Sequence, residues 1–333
     1  MQKPILVIGA GSWGTALAMV LVGNGHSVYL WGRDVKHIAA LKAQGYNERY
    51  LPDSIFPEGL LPVDDLESCL HECEEIVLAV PSAGMRSVLE TIDKHGNENL
   101  KVCTTCKGLE ASTCYFNHQV VEDCLGDKAS TVVLSGPSFA REVAAGLPTA
   151  VTIAGSNLET ASWFAKRFHN KVFRTYTHDD VIGVQVGGAV KNVMAIAAGI
   201  SDGLGFGSNT RAALITRGLA EIIRLGVVLG GRQETFMGLT GLGDLILTCT
   251  DDQSRNRRFG LELARGATVA EACEHIGQAI EGIKTSQEVV RLALKNNIEM
   301  PITEQVCKVV NGDVLPGDAV KTLMMRDQRQ ELD

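Results

Sequence analysis

Apolar residues follow two different rhythms along this chain. Up to about Asp179, short continuous apolar runs at 4–8, 27–31, 76–80, 102–105, 131–134, 150–154 and 172–176 read as buried strands. Between them, helical spacing covers 15–24, 34–44, 116–125 and 158–168, with Asp34 placed to cap the second helix. Strands alternating with helices predict a doubly wound α/β sheet. Beyond Asp179 the strand-like runs stop. Long helical stretches follow at 181–200, 210–229, 257–265, 285–296 and 303–310. No Pro- or Ser-rich linker separates the halves, so the helix from about Asp180 is expected at their interface and in the second. The division read from this change is 1–180 and 181–333.

Composition narrows the classes. A length of 333 residues suits two domains, and 45% hydrophobic with 21% charged residues excludes wholesale disorder. Aromatics at 5% leave few rings for stacking bases. With Lys+Arg 31 against Asp+Glu 39 the net charge is −8, which disfavours nucleic acid and anionic membranes as partners. A local basic cluster can still hold a small phosphorylated ligand. Nine cysteines, an odd number in a chain too large to need staples, point to a reducing cytoplasm. The one close pair, Cys103 and Cys106, sits in a strand-like run, where residues three apart face opposite sides. No second pair completes a zinc site, and the histidines are scattered singly, so no metal is expected. No charge falls between Pro4 and Gly32, as in a signal sequence or a membrane span. The glycines at 9, 11 and 14, the turn Asn24-Gly25-His26 and the lack of a basic leader beyond Lys3 argue against both. The expectation is a cytoplasmic protein without stable membrane insertion.

The candidate chemistry lies at the ends of these elements. Gly9-x-Gly11-x-x-Gly14 follows the first strand and opens the first helix, the setting in which glycines let a turn approach a pyrophosphate at a helix N-terminus. This predicts a bound dinucleotide. The second strand ends in Trp31-Gly32-Arg33-Asp34, where an acidic residue would read the ribose hydroxyls of NAD. Arg33 either takes a 2′-phosphate or stacks on adenine, or is a solvated arginine near a helix start. Lys191 is the only ionisable residue from Val181 to Ser201. Such a lysine is either paired and functional, as a general acid of lowered pKa, or reaches out at one face of its helix. Asp244, at the end of Gly241-Leu242-Gly243, shares a helix face with Thr248. Arg255, Arg257 and Arg258 follow Ser254 at a helix start, forming either a phosphate site or a solvated basic turn. Lys107-Gly108 and Gly136-Pro137-Ser138-Phe139 follow strands, at the sheet edge where ligands bind in open α/β folds.

Taken in order, several stretches resemble the NAD(P)-dependent glycerol-3-phosphate dehydrogenase family in its bacterial form, over essentially the whole chain. They are residues 9–16, Cys106-Lys107-Gly108, 134–140, Val190-Lys191-Asn192, Gly241-Leu242-Gly243-Asp244 and Ser254-Arg255-Asn256. The resemblance implies an N-terminal Rossmann domain followed by an all-helical substrate-binding and catalytic domain similar to that of 6-phosphogluconate dehydrogenase, commonly in a homodimer. It also implies reversible reduction of dihydroxyacetone phosphate to sn-glycerol 3-phosphate for glycerophospholipid synthesis. Lys191 matches the family's proton donor and acceptor, and Lys107 a residue touching both cofactor and substrate. Gly136, Ser138, Asp244, Ser254, Arg255 and Asn256 match substrate contacts; Ser12, Trp13, Arg33, Ala140, Arg255 and Glu281 match cofactor contacts. On this reading Lys107 and Asp244 set the electrostatics around the oxygen that Lys191 protonates, and Arg255 with Asn256 anchors the phosphate. Arg33, with no carboxylate at that strand end, predicts NADPH in preference to NADH. Two rival readings are a two-domain dehydrogenase of β-hydroxy acids and a non-catalytic dinucleotide sensor. The first suits the phosphate-binding look of Ser254-Arg255-Asn256 poorly, and the second has no need of Lys191, Asp244 and Arg255 together.

Overall fold

The computed structural model describes residues 3–328, so the outermost residues of both expected domains lie outside the described part. The first half runs β1 (Ile5–Ile8), α1 (Ser12–Gly23), β2 (Val28–Trp31), α2 (Val35–Gln44), β3 (Tyr46–Asn47), β4 (Leu51–Ile55), β5 (Leu60–Val63), α3 (Leu66–Glu72) and β6 (Glu75–Leu78). It continues with α4 (Met85–His95), β7 (Leu100–Thr104), α5 (Asn117–Leu125), β8 (Ala129–Ser135), α6 (Ala140–Ala144), β9 (Thr149–Ala154), α7 (Leu158–Phe168) and β10 (Phe173–His178). Eight strands form one sheet in the order β10-β9-β8-β7-β6-β1-β2-β5, while β3 and β4 make a separate hairpin. Within the eight-stranded sheet, pairing is parallel except between β8 and β9. There the chain turns back, because the intervening α6 lies against α1 and does not cross the sheet.

The sheet is covered on both faces. Leu17, Leu21, Phe164 and Phe168 pack against one side, and Leu70, Leu89, Val120 and Val121 against the other. Double coverage explains why β1 is buried at every position and reads as a continuous apolar run. Asp34 caps α2 as its position predicts, its Oδ1 accepting the amides of Lys36 (3.0 Å) and His37 (3.2 Å).

The second half is helical: α8 (Val181–Gly203), α9 (Ser208–Val228), α10 (Gln233–Phe236), a π-helical turn (Leu239–Gly243), α11 (Asp244–Thr250), α12 (Arg255–Ala264), α13 (Val269–Ile276), α14 (Glu281–Lys295), α15 (Pro301–Asn311) and α16 (Pro316–Met324). α8 is apolar and long enough to cross a membrane, yet 89% of its most apolar stretch is buried inside the protein. It is the axle of this half, wrapped by α9, α11, α12 and α14. Glycines let α12 lie directly on it. A Cβ at Gly260 would come within 2.2 Å of the Ile196 carbonyl oxygen, and one at Gly199 within 2.0 Å of that of Arg257.

The helical core also takes in Leu109 and Phe116 from the first half, so the change of rhythm at Asp179 is not a clean boundary in packing. Several helices begin earlier than their apolar spacing suggests: α14 at Glu281 and α12 at Arg255, because polar first turns carry no apolar signal.

Candidate active site

The glycine turn between β1 and α1 has the form a dinucleotide requires. Gly9 sits at φ +122, and a Cβ there would meet the Ala79 carbonyl oxygen at 2.5 Å. A Cβ on Gly14 would lie 1.9 Å from the Gly9 oxygen, whereas one on Gly11 would meet nothing within 4 Å. Two glycines therefore close the turn, and the third leaves an open approach for a ligand. α1 starts at Ser12 with no side-chain cap and no acid in its first turn, so its leading amides are available to an anion. Beside them, the buried Trp13 Nε1 has no partner among the described residues. Ala140 opens α6, which packs on α1. The turn is clamped from behind by two residues with no motif to announce them. Asn47 donates to the Ala10 carbonyl (3.1 Å) and to Thr15 Oγ1 (2.8 Å), and His37 Nε2 lies 3.2 Å from the same carbonyl. These features fit a dinucleotide diphosphate.

Arg33, just past β2, is exposed and has no hydrogen bond or ion pair among the described residues. Asp34 next to it is committed to capping α2.

Asp244 is the centre of the polar site. It is 1% exposed at the first position of α11, where the helix N-terminus favours a carboxylate. Its Oδ2 accepts from Lys107 Nζ at 2.7 Å and its Oδ1 from Lys191 Nζ at 3.0 Å. Lys107 reaches in from the loop after β7 and also donates to the Gly136 carbonyl (2.9 Å), which lies just beyond β8. Ser138 Oγ donates to the same carbonyl at 3.1 Å. Lys191 rises from the middle of α8 and donates to Thr248 Oγ1 at 2.7 Å, one turn after Asp244 on α11. At 8% exposure Lys191 is buried and ion-paired, not extended into solvent along one helix face, which disfavours the surface reading of this lysine. Burial pushes its pKa down to about 8; Asp244 opposes that shift and Lys107 reinforces it. Burial alone would raise Asp244, but the two ammonium groups outweigh it and hold the carboxyl below its usual range.

The three arginines at the start of α12 separate in the structure. Arg257 turns away into a brace, donating to Asp202 (2.6 Å), to Asp252 and to the Cys249 carbonyl (3.2 Å). It does not belong to a phosphate cluster. Arg255 remains, with its Nη1 on Gln278 Oε1 at 3.0 Å; burial lowers its pKa and Glu281 opposes the shift. Ser254 caps α12, its Oγ accepting the Arg257 amide at 3.2 Å, which leaves its hydroxyl proton to donate.

Asn256 is more committed than a free phosphate anchor. Its Oδ1 accepts the Gly282 amide (3.0 Å), and its Nδ2 donates to Asn192 Oδ1 (2.9 Å). Asn192 in turn donates to the Lys107 carbonyl at 3.0 Å. One N–H of Asn256 is left for a ligand. This chain of amides ties the Lys107 loop to α8, α12 and α14. Glu281, at the start of α14, accepts from Ser82 Oγ at 3.0 Å, and burial raises its pKa. Asn192 and Thr248 are site residues that motif spacing placed nearby without a role.

Comparison with known proteins agrees along the whole chain. The model of the NAD-dependent glycerol-3-phosphate dehydrogenase N-terminus matches residues 4–161, and that of the C-terminus matches residues 180–321. Glycerol-3-phosphate dehydrogenase [NAD(P)+] of Nitrosococcus oceani is 52% identical over 98% of this chain and 95% of its own. The enzyme of that name from Halorhodospira halophila is 49% identical over 100% of both. The crystal structure of glycerol-3-phosphate dehydrogenase from Coxiella burnetii superposes with a TM-score of 0.95 at 48% identity, covering 98% of this chain and 99% of its own. D-mandelate dehydrogenase, with a TM-score of 0.64 at 14% identity over 95% of this chain and 99% of its own, shares the fold alone. The chain belongs to the NAD-dependent glycerol-3-phosphate dehydrogenase family.

Proposed function

We propose that this chain reduces dihydroxyacetone phosphate reversibly to sn-glycerol 3-phosphate, with Lys191 as the proton donor. The observation that carries the reading is the buried Asp244 holding two lysines, from separate halves of the chain, at the C-terminal edge of the sheet. When bound at the glycine turn, the nicotinamide dinucleotide supplies the hydride that reduces the substrate carbonyl.

The chain's own residues do the rest. Lys191, kept cationic by Asp244, gives its proton to the carbonyl oxygen as negative charge develops there. Asp244 aims both ammonium groups and, shared by them, leaves the site one net positive charge. Lys107 adds positive potential to the same oxygen and contacts cofactor and substrate. Gly136, Ser138, Ser254, Arg255 and the spare amide proton of Asn256 bind the substrate, with Arg255 on its phosphate. Gly9, Gly11, Ser12, Trp13, Gly14, Arg33, Ala140, Arg255 and Glu281 line the cofactor site.

NADPH is the preferred cofactor on this reading. Arg33 offers an uncommitted guanidinium where NADH-selective folds place an acid, and Asp34 is turned into its own helix. Residues 1–180 form the dinucleotide domain and 181–333 the substrate domain. The product serves glycerophospholipid synthesis, and the protein works as a cytoplasmic homodimer. Nine free thiols support the cytoplasmic setting. Exposed Met324, on the lining of a mostly apolar cavity of about 540 Å³ between α8, α9, α15 and α16, supports the dimer.

The test is consumption of NADPH when dihydroxyacetone phosphate is added to the pure, folded protein. Turnover with it and very poor turnover with unphosphorylated dihydroxyacetone is the expected result, since remote phosphate binding energy orients the carbonyl. Equal kcat/KM for the two compounds removes phosphate recognition from the account, and no turnover removes the reading itself.

A further inference from the structure

Lys107 stands on a stretch of chain that the sheet does not hold. The ladder of β7 ends where the Thr105 amide donates to the Leu78 carbonyl (2.9 Å), and backbone pairing resumes at the bridge between Leu109 and Phe116. In between, the carbonyls of Cys106, Lys107 and Gly108 accept no backbone amide among the described residues. Carbonyls in a packed loop must find donors elsewhere. Here all three are met by side-chain carboxamides.

Asn117, the first residue of α5 and 2% exposed, donates through Nδ2 to the Cys106 carbonyl at 2.8 Å and to the Gly108 carbonyl at 3.3 Å. Asn192 donates to the Lys107 carbonyl between them. A peptide group is planar, so holding three successive carbonyls holds three successive planes. The torsions at Lys107 and Gly108 are then set, and with them the direction in which the lysine side chain leaves the backbone. Gly108 tightens the constraint, since a Cβ there would stand 2.5 Å from Ser82 Oγ and 2.9 Å from Glu281 Oε2. Asn117 is itself anchored: the next amide, that of His118, donates to Gln185 Oε1 (3.2 Å) on α8, the helix that carries Lys191.

We propose that Asn117 is a positioning residue for the reaction, setting with Asn192 the backbone at Lys107 and so aiming that ammonium at Asp244. The proposal rests on the reading of Lys107 as a cation of the active site. Two carbonyl acceptors require an amide nitrogen at this place, which an isosteric carboxylate cannot supply.

The experiment is a double-mutant cycle on the full chain, with Asn117→Ala, Lys107→Met and both together, reading kcat and KM for dihydroxyacetone phosphate reduction. Asn117→Ala is expected to lower kcat/KM about tenfold to a hundredfold, as misplacement of a site group does. In the Lys107→Met background the same change is expected to cost less than about twofold, because its effect passes through the lysine. The pH profile gives a readout that a purely structural residue would leave alone. Burial is the main cause that lowers the Lys191 pKa and Lys107 adds to it, so the alkaline limb of reduction is expected to move up in both single variants. Should Asn117→Ala fail to fold, as read by circular dichroism, Asn117→Ser takes its place, keeping one donor and expected to lose less. Losses that multiply in the double variant, or a folded Asn117 variant with wild-type kcat/KM, overturn the proposal and leave the reading of Lys107 standing. Wild-type kcat/KM in Lys107→Met removes that reading, and the proposal with it.

Discussion

At the scale of single residues, the site turns on two ammonium groups that share one buried carboxylate. Burial lowers the pKa of Lys191, and Asp244 limits the fall, so the group titrates at about 8. The sign of the pH dependence follows. With Lys191 as the proposed proton donor, reduction needs the ammonium form, so its rate is expected to hold below about pH 8 and to decline about tenfold per unit above it. Oxidation of glycerol 3-phosphate needs the neutral amine and rises over the same range. Rate profiles in both directions check this, and parallel profiles would show that another group controls the proton. Arg33 makes a second residue-scale prediction. A charge-assisted contact contributes ~1.5–3 kcal/mol, so Arg33→Ala is expected to lower kcat/KM for NADPH by roughly tenfold to a hundredfold while sparing NADH. An equal loss with both cofactors would show that Arg33 does not read the 2′-phosphate.

At the scale of elements, α8 joins the halves, and Asp180 fixes its start. The Asp180 side chain accepts the Gly183 amide at 2.8 Å as N-cap, and its Oδ2 also takes the Arg232 amide (2.8 Å) and Thr235 Oγ1 (2.6 Å). Asp180→Ala removes a cap and leaves two buried donors unpaired, for an expected loss of roughly 2–4 kcal/mol in urea unfolding. A loss under about 0.5 kcal/mol would mean that water replaces the carboxylate.

The same helix shows what the sequence makes legible. An apolar run with a single lysine announces a buried helix with one charge to satisfy, and Lys191 is that charge. β1 and α1 are legible for a similar reason, apolar runs bounded by turn residues, and α7 by the helical spacing of its apolar positions between polar ones. The hairpin of β3 and β4 was not, because β4 is mostly exposed and carries no alternation. Yet that hairpin supplies Asn47, which holds the cofactor turn. α10 spans a single turn, too few residues for a period to emerge. Arg257 looked like a phosphate ligand because sequence spacing shows adjacency, not the Asp202 and Asp252 partners that arrive from elsewhere in the chain.

At the scale of the whole molecule, the proposed site forms where the two halves meet. Lys107 comes from the loop after β7, Lys191 and Asp244 from the helical half, and the Asn192–Asn256 pair locks the Lys107 loop to α12 and α14. The proposed homodimer predicts a solution mass twice that of the chain by light scattering at micromolar concentration; a particle of single-chain mass would contradict it. The account's central claim, however, is that this assembly exists to place one proton. Lys191→Ala tests it most directly, with kcat for dihydroxyacetone phosphate reduction and the NADPH Kd measured on the same folded protein. The account predicts a fall in kcat of about 10²–10⁴-fold with NADPH binding nearly intact. A variant that binds NADPH normally and keeps more than about a tenth of the wild-type kcat would contradict it, because a general acid supplies more than that.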